Sequence, residues 1–224
     1  SKYKKIKHFS EKFTQSLLES KATPNSRNVL LVELSTEKYK KLLEESKNHN
    51  INLIQFGIRR PAIWNMNTFK IIKNAKCDII TPDSLIDSKL KIKIQEQKNL
   101  ITKQILELYR QDEILSQYFS YEGYSFWCAI KPIMQKLFET RIEHIARDIQ
   151  TIKALFQKIT IDTAVISSEI GITEQIIINE AKKHGVKLAL LQHGIYYGTK
   201  EAKETNLSKG LYPIKSDKFL IWGK

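Results

Sequence analysis

Short uninterrupted apolar runs, spaced by stretches of helical periodicity, constrain this chain more than any other feature. The clearest is Lys187-Leu188-Ala189-Leu190-Leu191, which leads directly into Gln192-His193-Gly194. A short continuous apolar run of this kind reads as an interior strand covered on both faces. It stops at residues suited to chemistry, and in open α/β sheets the ligand crevice lies just outside the carboxyl ends of the strands. The imidazole of His193 is therefore expected where a substrate would sit. Gly194 permits a positive-φ turn or lets a backbone N–H approach a ligand closely.

The other runs fall into order around it. Strands are predicted at Val29–Leu34, Asn52–Phe56 and Asp78–Thr81, the last stopped by Pro82, with helices over Thr36–Lys47 and Thr68–Asn74 between them. The pattern resumes with a strand at Thr163–Ile166, a helix over Thr173–Lys183 capped by Gly185, the strand Val186–Leu191, and a last strand over Lys218–Trp222. This alternation is the signature of a parallel sheet with helices on both faces. The usual strand order of such a sheet places the first strand beside the fourth.

Between the third and fourth strands the periodicity changes. Leu90, Ile94, Ile101, Ile105, Leu108, Leu115 and Phe119, and then Phe138, Ile142, Ile145, Ile149, Ile152, Phe156 and Ile159, follow three-and-four spacing. Two long helices are predicted, the second starting at Pro132 and on the order of 40 Å long. They form a helical hairpin inserted over about residues 85–159, with a seam that packs on itself or against another copy. The connection, Tyr118 to Trp127, is the densest aromatic cluster of the chain. It is either a small core fixing the turn or a stacking wall in which Tyr124 and Trp127 hold a ligand.

Residues 1–27 read as a basic amphipathic helix, with Ile6, Phe9, Phe13 and Leu17 on one face, followed by a polar linker. Such a helix docks on its own domain or lies on a membrane surface. Residues 28–224 form the main domain. No window reaches the length of a membrane span, and Cys77 and Cys128 share no metal-ligand spacing, so a cytoplasmic protein, at most at the inner face of the membrane, is expected. The formal charge of +13 fits either a lysine-rich solvated surface or a basic face for an anionic partner. Because the lysines are dispersed, nucleic acid is not expected among the partners.

Two predicted rim sequences neighbour each other, Ser167-Ser168-Glu169 and Gln192-His193-Gly194, and the strand order brings Ser35 and Thr36 beside them. His193 is suited to general base work and Glu169 could orient it, although a histidine at a strand end can equally be structural. Arg59 and Arg60, which follow the second strand, are grouped with Ser35, Thr36, Ser168, Gln192 and Gly194 as substrate-binding residues. The chain carries no Gly-x-Gly-x-x-Gly after the first strand, no P-loop, no Gly-x-Ser-x-Gly elbow and no zinc spacing, so no metal site is expected.

Ser168-Glu169-x-Gly171 with Glu174-Gln175, then Leu191-Gln192-His193-Gly194, then Tyr212-Pro213-Ile214-Lys215-Ser216-Asp217-Lys218 and Ile221-Trp222-Gly223, resembles the N-terminal half of GT-B glycosyltransferases of the surface and capsular polysaccharide group. It is similar, more loosely, to the glycerophosphotransferases that build teichoic acids. The resemblance covers mainly residues 161–224, and Ser216 stands where the family commonly has alanine. It implies a Rossmann-like acceptor-binding domain, His193 as catalytic base, and a glycan or lipid-linked acceptor. It also implies a nucleotide-sugar donor held by a second Rossmann-like domain that would follow Lys224, so that this chain alone is expected to be inactive and to hold no cofactor. The alternatives are a GT-B-shaped nucleotide-sugar epimerase or glycerophosphotransferase half, and a non-enzymatic module that binds nucleic acid or a partner.

Overall fold

The computed structural model describes residues 26–192 and 214–221. They form two compact units, one comprising the segments on either side of the insertion and the other comprising Ile86–Ala154. The first unit is α/β. Its strands are β1 (Arg27–Val32), β2 (Ile51–Phe56), β3 (Asp78–Ile80), β6 (Thr163–Ile166), β7 (Lys187–Leu191) and β8 (Lys218–Leu220), the intervening β4 and β5 belonging to the other unit. They lie in the order β3-β2-β1-β6-β7-β8, and every neighbouring pair is parallel. The order reverses between β1 and β6, where Leu31 is paired with Val165. This is the Rossmann-like arrangement, with a switch point at that pair.

Alternation along the strands sends successive side chains to opposite faces, and both sets are buried. Leu31, Leu53, Val165, Ala189 and Leu191 join Leu43 of α1 (Lys40–Ser46) and Ile71 and Ile72 of α2 (Met66–Ala75) in one core. Leu30, Ile54, Ala164, Ile166, Leu188 and Leu190 are buried on the opposite face. Helix α2 begins where a capping box dictates. The Asn65 side chain accepts from the Thr68 N–H, and the Thr68 hydroxyl accepts from the Asn65 N–H.

Several boundaries differ from the sequence reading. β1 begins two residues earlier and stops at Val32, because Glu33 takes a left-handed φ of 56° and its N–H bonds the Phe56 carbonyl. The first helix starts at Lys40, since the Thr36 hydroxyl is drawn into a tertiary bond to the Ala62 carbonyl. β8 ends at Leu220, and Trp222 lies outside the described residues.

After the single turn α3 (Pro82–Leu85), the second unit holds α4 (Ser88–Tyr109), α5 (Asp112–Tyr118), the strands β4 (Ser120–Tyr121) and β5 (Tyr124–Ser125), and most of α6 (Trp127–Lys158). Asp87 caps α4 by accepting the Leu90 N–H at 2.7 Å. Lys98 with Glu143, and Gln97 with Gln150, tie α4 to α6 in antiparallel sense. Two sequence expectations are corrected. The first helix is interrupted at Gln111, where Asp112 turns to receive the Trp127 indole N–H and the Lys131 ammonium, each at 2.7 Å. The second helix starts five residues before Pro132, because Trp127 is buried and the Phe126 carbonyl accepts the Ala129 and Ile130 N–H groups. Pro132 thus lies inside α6. The connection is a small antiparallel hairpin closed by Glu122 and Gly123, both at positive φ, the geometry of a type I′ turn.

Candidate functional site

The switch point carries a cavity of about 450 Å³ at the carboxyl ends of β1, β2 and β6. Its wall is built by carboxylates acting on backbone. Glu33, only 5% exposed, points its carboxylate at the loop after β2 and accepts from the N–H groups of Ile58, Arg59 and Arg60 at 2.6, 2.9 and 3.1 Å. Three N–H groups converging on one buried carboxylate make a rigid nest, since each bond to a charged acceptor is stronger than a neutral one. Gly57 permits the fold of that loop, because a Cβ there would collide with the Arg60 carbonyl. The clamp sets where Arg59 and Arg60 begin, and both line the cavity.

Across the cavity, β6 delivers Ser167 and Ser168, and α7 (Ile172–Lys183) begins at Gly171. No side chain caps α7, and Glu174 in its first turn pairs with the Arg59 guanidinium. An acidic residue in the first turn also complements the helix dipole. Ser35, whose hydroxyl accepts the Lys38 N–H at 3.4 Å, and Lys38 complete the cationic, hydroxyl-bearing lining. Among the described residues, no group of three or more His, Cys, Asp or Glu side chains is placed to hold a metal ion.

Of the residues expected from the sequence, Ser35, Arg59, Arg60 and Ser168 come together here. Glu169 does not. Its buried carboxylate accepts from the N–H groups of Ile214, Lys215 and Ser216 at 3.0, 3.0 and 2.8 Å, so it holds the approach to β8. Burial pushes this carboxyl up, but the donors from Ser216, Ile214 and Lys215 outweigh it and hold the group below the ordinary carboxylate value.

Thr36 is corrected as well: its hydroxyl is buried and its one proton is committed to Ala62, with Gln55 Oε1 next nearest at 3.2 Å. Trp127 cannot offer a stacking face. It is 2% exposed, stacked on Phe119 at 5.3 Å, with its N–H on Asp112. Tyr124 is 82% exposed on β5 of the helical unit, whereas the cavity lining comes from the α/β unit. Gln192 follows β7 at the sheet rim, its N–H bonded to the Leu220 carbonyl. His193 and Gly194 lie outside the described residues, as do residues 1–25.

Sequence reasoning missed Glu33 and Lys38, and read Glu174 only as part of a motif. A charged residue directly after an apolar strand was the available signal for Glu33, but nothing local reveals that its partners lie 25 residues away. No family model matches the chain, and neither does any curated protein or solved structure.

Proposed function

We propose that the α/β unit is the acceptor-binding half of a GT-B-type glycosyltransferase of surface polysaccharide or glycan biosynthesis. The observation that supports it is the cavity at the switch point, walled by Ser35, Ser167, Ser168, Arg59 and Arg60 and held rigid by the Glu33 clamp. A hydroxyl-bearing, cationic cleft suits a glycan or lipid-linked acceptor, and preorganised donors at a strand rim are what positioning an acceptor requires.

In this reading His193, which follows Gln192 in sequence, takes the proton from the acceptor hydroxyl as that oxygen attacks the anomeric carbon of the donor sugar. The bond from sugar to nucleotide diphosphate breaks, and the diphosphate leaves within a second Rossmann-like domain. The chain contributes acceptor binding and the base; the donor domain contributes stabilisation of the leaving group.

The test is ligand-observed NMR on the 224-residue chain with oligosaccharide fragments and with nucleotide sugars. Oligosaccharide binding that is weakened by Ser168→Ala is expected, with no nucleotide-sugar binding. Tight binding of a nucleotide sugar, or no contact with any glycan fragment, would overturn the acceptor-side assignment. A glycerophosphotransferase half is favoured over it by one feature, the three cations Lys38, Arg59 and Arg60 at the cavity. Transfer of glycerol phosphate instead of a sugar by the complete enzyme would select that reading.

A further inference from the structure

Helix α4 carries apolar residues on two faces. The face tied to α6 holds Leu90 and Tyr109 buried and Ile94, Ile101 and Ile105 partly buried. On the other, Ile92 and Leu106 stand 61% and 52% exposed. Ile92, Asn99 and Leu106 recur every seven residues and so line up along the helix, with Glu96 and Lys103 beside them at the same interval. A single exposed leucine needs no explanation, but a row that repeats by sevens and carries one charge of each sign is the pattern of a helix-to-helix contact.

The two halves of this row differ in shape. Toward the carboxyl end a groove of about 330 Å³ is lined by Asn99, Thr102, Lys103, Leu106, Glu107 and Arg110, while toward the amino end Ile92 projects into solvent. Projection and groove belong to one helix and cannot meet within a chain. They meet when a second α4 lies antiparallel to the first about a two-fold axis at Asn99. Ile92 then enters the groove at Leu106 of the second copy, and symmetry repeats the contact.

The charges select the same arrangement. Antiparallel pairing about Asn99 sets each Glu96 opposite Lys103 of the second copy, whereas parallel pairing would set Glu96 on Glu96 and Lys103 on Lys103. Lys103 meets Glu107 of its own helix at 3.9 Å with both side chains exposed, a pair weak enough for the ammonium to turn to Glu96. At the axis the two Asn99 amides face each other, each with a donor and an acceptor, and a polar residue at such a position fixes register. The mixed signs of the row match its own rotated copy better than a surface of uniform charge.

We propose that this outer row of α4 is a homodimer contact, formed by two antiparallel copies of the helix about an axis at Asn99. The inference is independent of the transferase reading. Contact along a single helix pair lies at the small end of specific interfaces, so association in the micromolar range is expected.

Sedimentation velocity on the 224-residue chain from about 1 to 200 µM tests it, with a dimer of Kd on the order of 10 µM expected. Leu106→Glu and Glu96→Lys should each weaken the dimer about tenfold or more, and Glu96→Lys combined with Lys103→Glu should restore it. Melting of the variants should match the parent, since these side chains are exposed. In a Cys128→Ser background, which leaves Cys77 buried, Asn99→Cys should cross-link to itself through a short bismaleimide. Ile92→Cys should not, because its symmetry mate is about 20 Å along the helix.

A chain that stays monomeric over this range overturns the proposal. So does a dimer indifferent to Leu106→Glu, one that the charge exchange does not restore, or one that cross-links as well from position 92 as from 99. A monomer destabilised by Leu106→Glu would mean that the row is covered by its own chain, and overturns it equally.

Discussion

Glu33 and Glu169 show how much one buried carboxylate can organise when backbone N–H groups are its partners. Each receives three of them, from residues 58–60 and 214–216 respectively. Glu33→Ala leaves three donors facing a cavity with no acceptor, so a loss of about 3 kcal/mol in urea unfolding is expected, together with loss of ligand binding at Arg59 and Arg60. At Glu169 the carboxyl is depressed below its ordinary value. The stability it contributes is therefore present above the unfolded carboxylate range, about pH 4.3, and disappears as pH falls through the lower folded value. Unfolding free energy measured from pH 6 to pH 2 should drop more steeply for the parent than for Glu169→Gln; parallel curves would remove the clamp from the account. Under the proposed transferase reading, His193→Ala is expected to lower turnover about a hundredfold with the melting temperature unchanged. A destabilised variant of normal activity would mark a turn-capping histidine.

At the scale of elements, α6 is the instructive case. Its apolar spacing after Pro132 is unbroken, and a proline is well tolerated at the first position of a helix, so the sequence points to a start there. Burial of Trp127 against Tyr109 and Phe119 extends the helix one and a half turns further back. Pro132 then sits where an N–H would have bonded the Cys128 carbonyl. Pro132→Ala supplies that donor, and a gain of about 1 kcal/mol in stability of the helical unit is expected by thermal melting. A loss would mean that the proline ring packs in a way the missing bond does not offset. The break at Gln111 has the same origin in tertiary structure, since no Gly or Pro stands near it.

At the scale of the whole molecule, part of the basic excess is paired with carboxylates among the described residues. Lys98 with Glu143, Lys131 with Asp112, Lys183 with Glu180 and Arg59 with Glu174 are paired at scattered places in the two units. A pair exposed on both sides, such as Lys98 with Glu143, contributes little to stability but cancels local field. The chain should therefore not be retained with DNA or RNA in filter binding at moderate salt; retention with a steep salt dependence would restore the nucleic-acid reading. Among the described residues no helix is long and apolar enough to cross a membrane.

The amino-acid sequence by itself determined the parallel α/β sheet and the helical insertion, and the usual arrangement of such sheets supplied the neighbouring first and fourth strands. These depend on periodicity and on apolar runs, which are local properties, and on a chirality and connection rule common to all such sheets. It also placed Ser35, Ser168, Arg59 and Arg60 at one rim, because strand ends are countable along the chain. Only the tertiary structure decided what the three glutamates do. Glu33, Glu169 and Glu174 are alike in sequence as acidic residues near strand ends or a helix start. Their roles separate because one meets the 58–60 loop, one meets residues 214–216, and one meets Arg59 with an oxygen left over. A carboxylate's function is fixed by which donors reach it, and here those donors come from 25 to 115 residues away.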